Sequence, residues 1–428
     1  MSSIQTFAPH HSERAVAHVQ SINVIKVITA TAVCIVVTQK LAVPLGSSNR
    51  TQVALALILE FGMLFYLYAT GRAFIHRIRL IWFLAIAGLA VLLNLFRPVV
   101  DYSPPALLLF ITILSMYVFI IPITSEQYRG LMKNFVVMGM IASGLVWVDW
   151  VTQLAHLGMP NVETFVPKLF LYREYNYLKQ MWWGALKFAP NGVVFLEPSH
   201  VSQFIGMALI AEVALFQRVK RMIFLAISLL ASFGGTGLLL CVICSPLLLF
   251  RLKPVAIFAG LVALPAVLVV ALQLGVLDNI ARRSGEIGGK NASATIRFVL
   301  PIEAATEALT GPMDTFLGGK GPGTMPKGLS ATASFAWAPY AKLIVEYGFP
   351  VFVLWIGFLL YCNFPRGIPA VIGLAGFTQF FLLNGSLGVP LNTIYCLLLA
   401  GSYLIVRPRV DFKLEPEISS QAAIRSQG

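Results

Sequence analysis

Phe195-Leu196-Glu197-Pro198-Ser199-His200 brings a carboxylate and an imidazole within three residues of each other. On a helix that spacing puts both on one face. Such a pair suits proton abstraction from a hydroxyl, with Glu197 as general base and His200 assisting. A plainer role fits the same residues. Pro198 suits a first helical turn, and Glu197 would then stand at the helix N-terminus, where a carboxylate caps free amides and complements the dipole. The residue types alone leave both roles open.

A second constellation is cationic. The stretch 156–192 carries Lys168, Arg173, Lys179 and Lys187 against Glu163 and Glu174. The stretch 277–339 carries Arg282, Arg283, Lys290, Arg297, Lys320 and Lys327 against Asp278, Glu286, Glu303, Glu307 and Asp314. A merely solvated face would look the same. The chemical alternative is an anion site. Guanidinium forks match phosphate oxygens, and a diphosphate needs several such donors. The candidates for that role are Arg297, Arg173, Lys187, Arg282, Arg283 and Lys320. The segment Arg297–Glu303 is also amphipathic and leads to Leu317-Gly318-Gly319-Lys320-Gly321-Pro322-Gly323. That glycine-rich turn is expected to present backbone N–H groups to an anion. Neither stretch contains a D-x-D, and His, Cys and Asp show no ligand spacing, so no metal or cofactor is expected. Arg and Lys would then carry the leaving-group charge.

What positions these residues is apolar. The chain has 428 residues, 58% hydrophobic and 11% charged. A soluble domain is typically about 25% charged. Such a chain needs lipid as solvent, and its apolar runs approach the ~20 residues that span a bilayer. The net charge of +13 sits in short clusters between those runs, which argues against a nucleic-acid surface. The cysteines all lie inside apolar runs and read as small packed hydrophobes. The expected fold is therefore an all-α polytopic membrane protein of about twelve transmembrane helices with two large periplasmic loops.

The spans read as 23–43, 52–71, 80–96, 104–123, 134–155, 193–216, 222–234, 236–250, 254–276, 340–362, 367–384 and 388–406. The chain thus divides into a cytoplasmic tail 1–22, spans over 23–155, a loop 156–192, spans over 193–276, a loop 277–339, spans over 340–406 and a cytoplasmic tail 407–428. The seventh and eighth spans are split at Gly234-Gly235-Thr236-Gly237, and two helices meeting there are preferred to one kinked helix. Clusters at Arg72/Arg77/Arg79, Arg129/Lys133, Arg218/Lys220/Arg221, Arg251/Lys253 and Arg407/Arg409 then all fall in the cytoplasm. Both long loops fall outside. Glu60, Asp149 and Glu212 are left inside the membrane and are expected to be satisfied within the bundle.

This layout resembles the Wzy-type polysaccharide polymerases and the related O-antigen ligases. Leu196-Glu197-Pro198-Ser199 is similar to the segment that opens the span after the family's first large loop. Arg297 followed by Gly318-Gly319-Lys320-Gly321-Pro322-Gly323 resembles the corresponding segment of the second loop. Glu346-Tyr347-Gly348 is similar to the family's E-x-G, and Arg173 with Gly184 matches a spacing in polymerase loops. One departure stands out. The ligases carry a His shortly before that Glu, and here 328–345 contains none. A base role would then fall to Glu197.

The resemblance implies a metal-independent glycosyl transfer on the periplasmic side of a bacterial inner membrane. A glycan leaves its undecaprenyl diphosphate and joins the non-reducing end of the next lipid-linked repeat unit, in exopolysaccharide biosynthesis. Implied partners are the lipid-linked oligosaccharide, membrane lipids, and chain-length-regulating and export proteins. An O-antigen ligase is the alternative within the class. A secondary transporter or lipid-linked oligosaccharide flippase is the alternative outside it. The major-facilitator signature after the second span would need an Asp that Gly71-Arg72-Ala73-Phe74-Ile75-His76-Arg77 lacks.

Overall fold

The computed structural model describes residues 24–45, 51–95, 103–160, 162–172, 178–181, 186–252, 299–325, 337–384 and 387–404, with isolated positions at 254, 258, 265, 269, 272 and 295. The protein is mostly helical, with a few short strands. The first half contains α1 (Val24–Val37), α2 (Leu55–Ala69), α3 (Arg77–Leu95), α4 (Pro104–Met116) and α5 (Ser125–Leu154). Next come α6 (Pro198–Leu215), α7 (Val219–Ala231) and α8 (Gly235–Leu249). The last part holds α9 (Leu300–Thr310), α10 (Met313–Gly318), α11 (Pro339–Tyr347), α12 (Phe349–Asn363), α13 (Ala370–Leu383) and α14 (Pro390–Ala400).

Several apolar runs are shorter helices than their hydropathy suggests, because β-branched ends leave the helix. The first run turns into β1 (Ala42–Leu45), antiparallel to β2 (Thr51–Ala54). The fourth ends at Met116 and continues as β4 (Phe119–Ile123), rich in β-branched residues that favour strand. It pairs antiparallel with β3 (Phe74–Ile75) and parallel with β5 (Ser402–Leu404). The β3 ladder stops at Phe119 and Ile120, short of Pro122, which has no N–H to donate. Arg79, almost wholly buried, fastens this corner by donating to the carbonyls of Tyr117, Phe119 and Ala400.

The central element is α6, apolar or small nearly all round and buried along nearly its whole length. Small residues let its neighbours close on it. A Cβ on Gly139 of α5 would stand 2.3 Å from Ala208 Cβ. A Cβ on Gly206 would stand 3.0 Å from the Gly237 carbonyl of α8. Among the described residues two helices, α3 and α5, are long and apolar enough to cross a membrane, and seven further apolar helices are shorter. The stretch 222–250 is two helices parted at Ser232–Gly234, with Phe233 at φ 54°.

Candidate active site

Glu197 does not lie on the helix with His200. It is the residue before α6, with extended backbone at φ −150°, ψ 162°, so the shared-face reading fails. Nor does its side chain cap a backbone N–H. Its carboxylate instead accepts the Ser199 hydroxyl at 3.0 Å on Oε2, while its carbonyl takes the His200 and Val201 amides at 3.0 and 3.3 Å. Pro198 at the first helical position has no amide to leave orphaned. Glu197 is half-buried and His200 buried. A half-buried carboxylate oriented by a neighbouring hydroxyl, rather than engaged in capping, is suited to take a proton.

The entrance of α6 rests directly on the break between α7 and α8. A Cβ on Gly234 would stand 2.2 Å from Ser202 Oγ and 2.5 Å from the Pro198 carbonyl; one on Gly237 would stand 2.2 Å from the Ser202 carbonyl. Thr236 donates to the Ser199 carbonyl at 3.1 Å, and the Gly237 amide donates to Ser202 Oγ at 3.2 Å. The glycines of that break therefore serve close approach. The broken backbone is covered by protein, the condition for its survival away from water.

The turn leading into Glu197 is held from α5. Asp149 Oδ2 accepts the amides of Asn191 at 3.0 Å and Gly192 at 2.7 Å. One helical turn on, Gln153 brackets Phe188, accepting its amide at 2.8 Å and donating to its carbonyl at 3.1 Å. Gly192 and Val193 both have left-handed backbone, at φ 65° and 63°. For a β-branched residue that is strain, and it is stored two residues before Phe195 and four before Glu197.

The second candidate region joins two motifs that are far apart in sequence. The Lys320 and Gly321 amides donate to the carbonyls of Val345 and Glu346 at 2.5 and 3.0 Å. Gly319 and Gly348 have φ of 70° and 83°, and a Cβ on Gly348 would stand 2.3 Å from the Leu317 carbonyl. The Glu346 side chain, fully buried, takes the Met325 amide at 3.4 Å and lies beside that of Gly323. The Gly319 and Thr324 amides bond to Thr315 and Gly321. This corrects the expectation of a backbone anion cradle. The amides of the glycine-rich turn are engaged, and the group seated there is the protein's own Glu346 side chain. The Pro322 carbonyl in turn accepts the Ser103 amide at 2.8 Å, tying the turn to the start of α4.

The candidate cations are spread. Lys320 is exposed and paired with Glu307 at 2.8 Å, which holds the Glu307 carboxyl below its ordinary value, chiefly through the hydrogen bond. Lys187 is exposed, on a small hairpin where the Met181 amide bonds to its carbonyl at 3.1 Å. Arg173, Arg282, Arg283 and Arg297 lie outside the described residues. Sequence reasoning passes over Lys40, because a lone lysine ending an apolar run reads as an interface anchor. In the structure Lys40 is buried, 3.4 Å from Glu163. Its carbonyl takes the Tyr172 amide at 2.8 Å, next to Arg173 in the chain.

The two candidate regions meet on one helix. Gln203 of α6 donates to the Leu383 carbonyl at 3.3 Å and accepts from Gln379 at 3.1 Å, while Tyr340 of α11 packs on Phe381 at 5.5 Å between ring centres. That last turn of α13 is π-helical, a distortion frequent at functional sites. The buried carboxyls differ among themselves. Glu212 is bound by Arg218 through Nε at 2.8 Å and Nη2 at 2.5 Å. Asp149 is held through Oδ2 by the amides of Asn191 and Gly192, and Glu60 is fully buried beside Thr393 and Cys396, so each of the three has neighbours within the protein that bear on its carboxyl. Among the described residues no three His, Cys, Asp or Glu side chains converge as a metal site requires.

No family model, curated protein or solved structure matches this chain.

Proposed function

We propose that this chain is a polytopic membrane glycosyltransferase of the Wzy polymerase type, extending a glycan held on polyprenyl diphosphate by one lipid-linked repeat unit at a time. The observation that carries the catalytic part is Glu197, a half-buried carboxylate set by Ser199 at the mouth of the central helix and not used as a cap. A hydroxyl of the incoming sugar attacks the anomeric carbon of the glycan. Its proton passes to Glu197. The bond from that carbon to the diphosphate breaks, and polyprenyl diphosphate leaves with the electron pair. The donor is already activated, so its departure calls for cations more than for acid. Arg297, Arg173, Arg282, Arg283, Lys187 and Lys320 are the proposed holders of that charge. The joined glycine-rich and Glu346-Tyr347-Gly348 motifs support the resemblance, since both belong to its pattern.

The membrane part of the reading is supported by polarity turned inside out. Glu60, Asp149, Glu212 and Glu346 are fully buried, while Phe65, Leu108, Val151 and Val242 stand exposed on helix faces. In water that arrangement would be reversed. The glycan proposed is an exopolysaccharide; within the family, the polymerase of the xanthan pathway is the member this chain looks most like, on weaker grounds than the family resemblance itself. The test is a strain lacking this chain: polymer should vanish while single lipid-linked repeat units persist outside the membrane. Glycan missing only from lipid A core would mark a ligase, and repeat units trapped in the cytoplasm a flippase. Reporter fusions near Lys179 and Gly323 should report one side, and fusions after Arg129, Arg221 and Arg366 the other.

A further inference from the structure

The loop that follows α5 exposes several large apolar side chains while turning the acidic Glu163 inward. Its 3-10 turn Val162–Phe165 stacks residues three apart on one face, which puts Val162 and Phe165 together. Both are exposed, Phe165 at 88%. Glu163, between them, turns inward to the buried Lys40 at 3.4 Å. The pattern continues on either side. Leu157 is 80% exposed, and Leu169 and Phe170 are exposed, while Gln52 Nε2 reaches in to the Leu171 carbonyl at 3.1 Å. These exposed apolar positions follow directly along the chain on those of α5, where Val148, Val151 and Leu154 are exposed. Lys168 is the one lysine or arginine between Leu154 and Phe170, and it too is exposed, as is His156.

We propose that residues 154–170 form an interfacial segment that lies in the leaflet into which α5 delivers it, with Leu157, Val162 and Phe165 among the upper acyl chains and Lys168 at the phosphates. The inference rests on the reading that α5 spans a membrane. Continuity along the chain with the exposed positions of α5 selects lipid as the occupant, because one medium then covers both. The position of Lys168 fits it, since a lysine stem can lie along apolar surface while its ammonium reaches the headgroups. The Lys40–Glu163 pair then acts as an inward clamp that holds the segment flat. It also places the loop at the depth of a lipid-linked diphosphate, ahead of the hairpin that bears Lys187.

The test is depth quenching of an environment-sensitive maleimide probe. Cys34 and Cys241, the cysteines with accessible side chains, are first replaced by Ala. Single cysteines are then placed by Phe165→Cys, by Val151→Cys on α5 and by Lys320→Cys. The full chain is reconstituted in phosphatidylcholine–phosphatidylglycerol vesicles, with and without nitroxide lipids labelled near the headgroup, and titrated with iodide. The proposal expects nitroxide quenching at 165 at least equal to that at 151, with little iodide quenching, and the reverse at 320. Iodide quenching at 165 without nitroxide quenching overturns it, and so does protection from both, which would mean a protein partner covers the face. Loss of nitroxide quenching at 151 would sink the membrane reading itself, a different failure. Should Phe165→Cys not accumulate, Leu157→Cys reports on the same face.

Discussion

The Met325 amide donates to Glu346 Oε1 at 3.4 Å, and the main-chain carbonyl of the same glutamate takes the Gly321 amide at 3.0 Å. One residue thus closes the glycine-rich turn from both its side chain and its backbone. Glu346→Ala leaves a buried amide without an acceptor, at a cost of about 1–3 kcal/mol. Glu346→Gln keeps a carbonyl oxygen there and should cost less. Thermal unfolding in detergent, with hydrogen exchange over 321–325, should rank wild type, Gln and Ala in that order. Equal protection in the Ala variant would show that the carboxylate does not hold the turn.

Gly319→Ala tests why glycine stands there. Its φ of 70° costs an L-residue roughly 1–2 kcal/mol, and its new Cβ would also stand 2.5 Å from the Glu346 carbonyl carbon. Gly71 shares the conformation, at φ 68°, but has open space around it. Gly71→Ala should therefore show the backbone cost alone. Gly319→Ala should lower the melting temperature and the yield of folded protein more. Equal losses would mean that the contact with Glu346-Tyr347-Gly348 is loose.

Arg218 and Glu212 form a fork at the basic cluster after α6, with the carboxylate fully buried. Arg218→Ala strands that charge and should destabilise by about 3–5 kcal/mol. Arg218→Lys, with a point charge in place of a fork, should fall between. Activity per folded molecule should be unchanged in the Lys variant, since nothing at Glu197 depends on this pair. A drop in turnover without a drop in stability would give Glu212 a role that its geometry does not suggest.

The helical class was legible because apolar runs dominate the chain, and so was the break at Gly234, because three glycines in four residues cannot sit in an uncovered helix. The ends of the runs were not. Phe119-Ile120-Ile121-Pro122-Ile123 is as apolar as the helix before it, and only β-branching and Pro122 hint at a strand. The position of Glu197 at the entrance of α6 was legible from Pro198, but its extended backbone was not, because spacing rules presume the helix that Pro198 only begins. The seat of Glu346 in the glycine-rich turn was hidden by the chain between them. The glycines alone read as an anion cradle, and which group fills it is a tertiary fact. Lys40 was passed over, and the partners of Asp149 were not foreseen, for the same reason, since Glu163, Asn191 and Gly192 come from a loop without periodicity.

The last prediction separates a base from a support at Glu197. The Ser199 hydroxyl donates to Glu197 Oε2 at 3.0 Å, and a glutamine oxygen can accept the same bond. Glu197→Gln should therefore keep the fold and the melting temperature. If the carboxylate takes the sugar hydroxyl's proton, polymer formed per unit of membrane-inserted protein should fall by about 10²–10⁴, the usual worth of general base catalysis. Ser199→Ala removes the hydrogen bond but leaves the base, so it should lose far less turnover. The assay uses purified protein and lipid-linked repeat units, with a chelator present in one arm. Near-normal activity in the Gln variant would leave Glu197 structural and turn attention to His200, whose amide already rests on the Glu197 carbonyl at 3.0 Å. Activity lost to the chelator in the wild-type protein would overturn a mechanism in which Arg and Lys alone hold the leaving diphosphate.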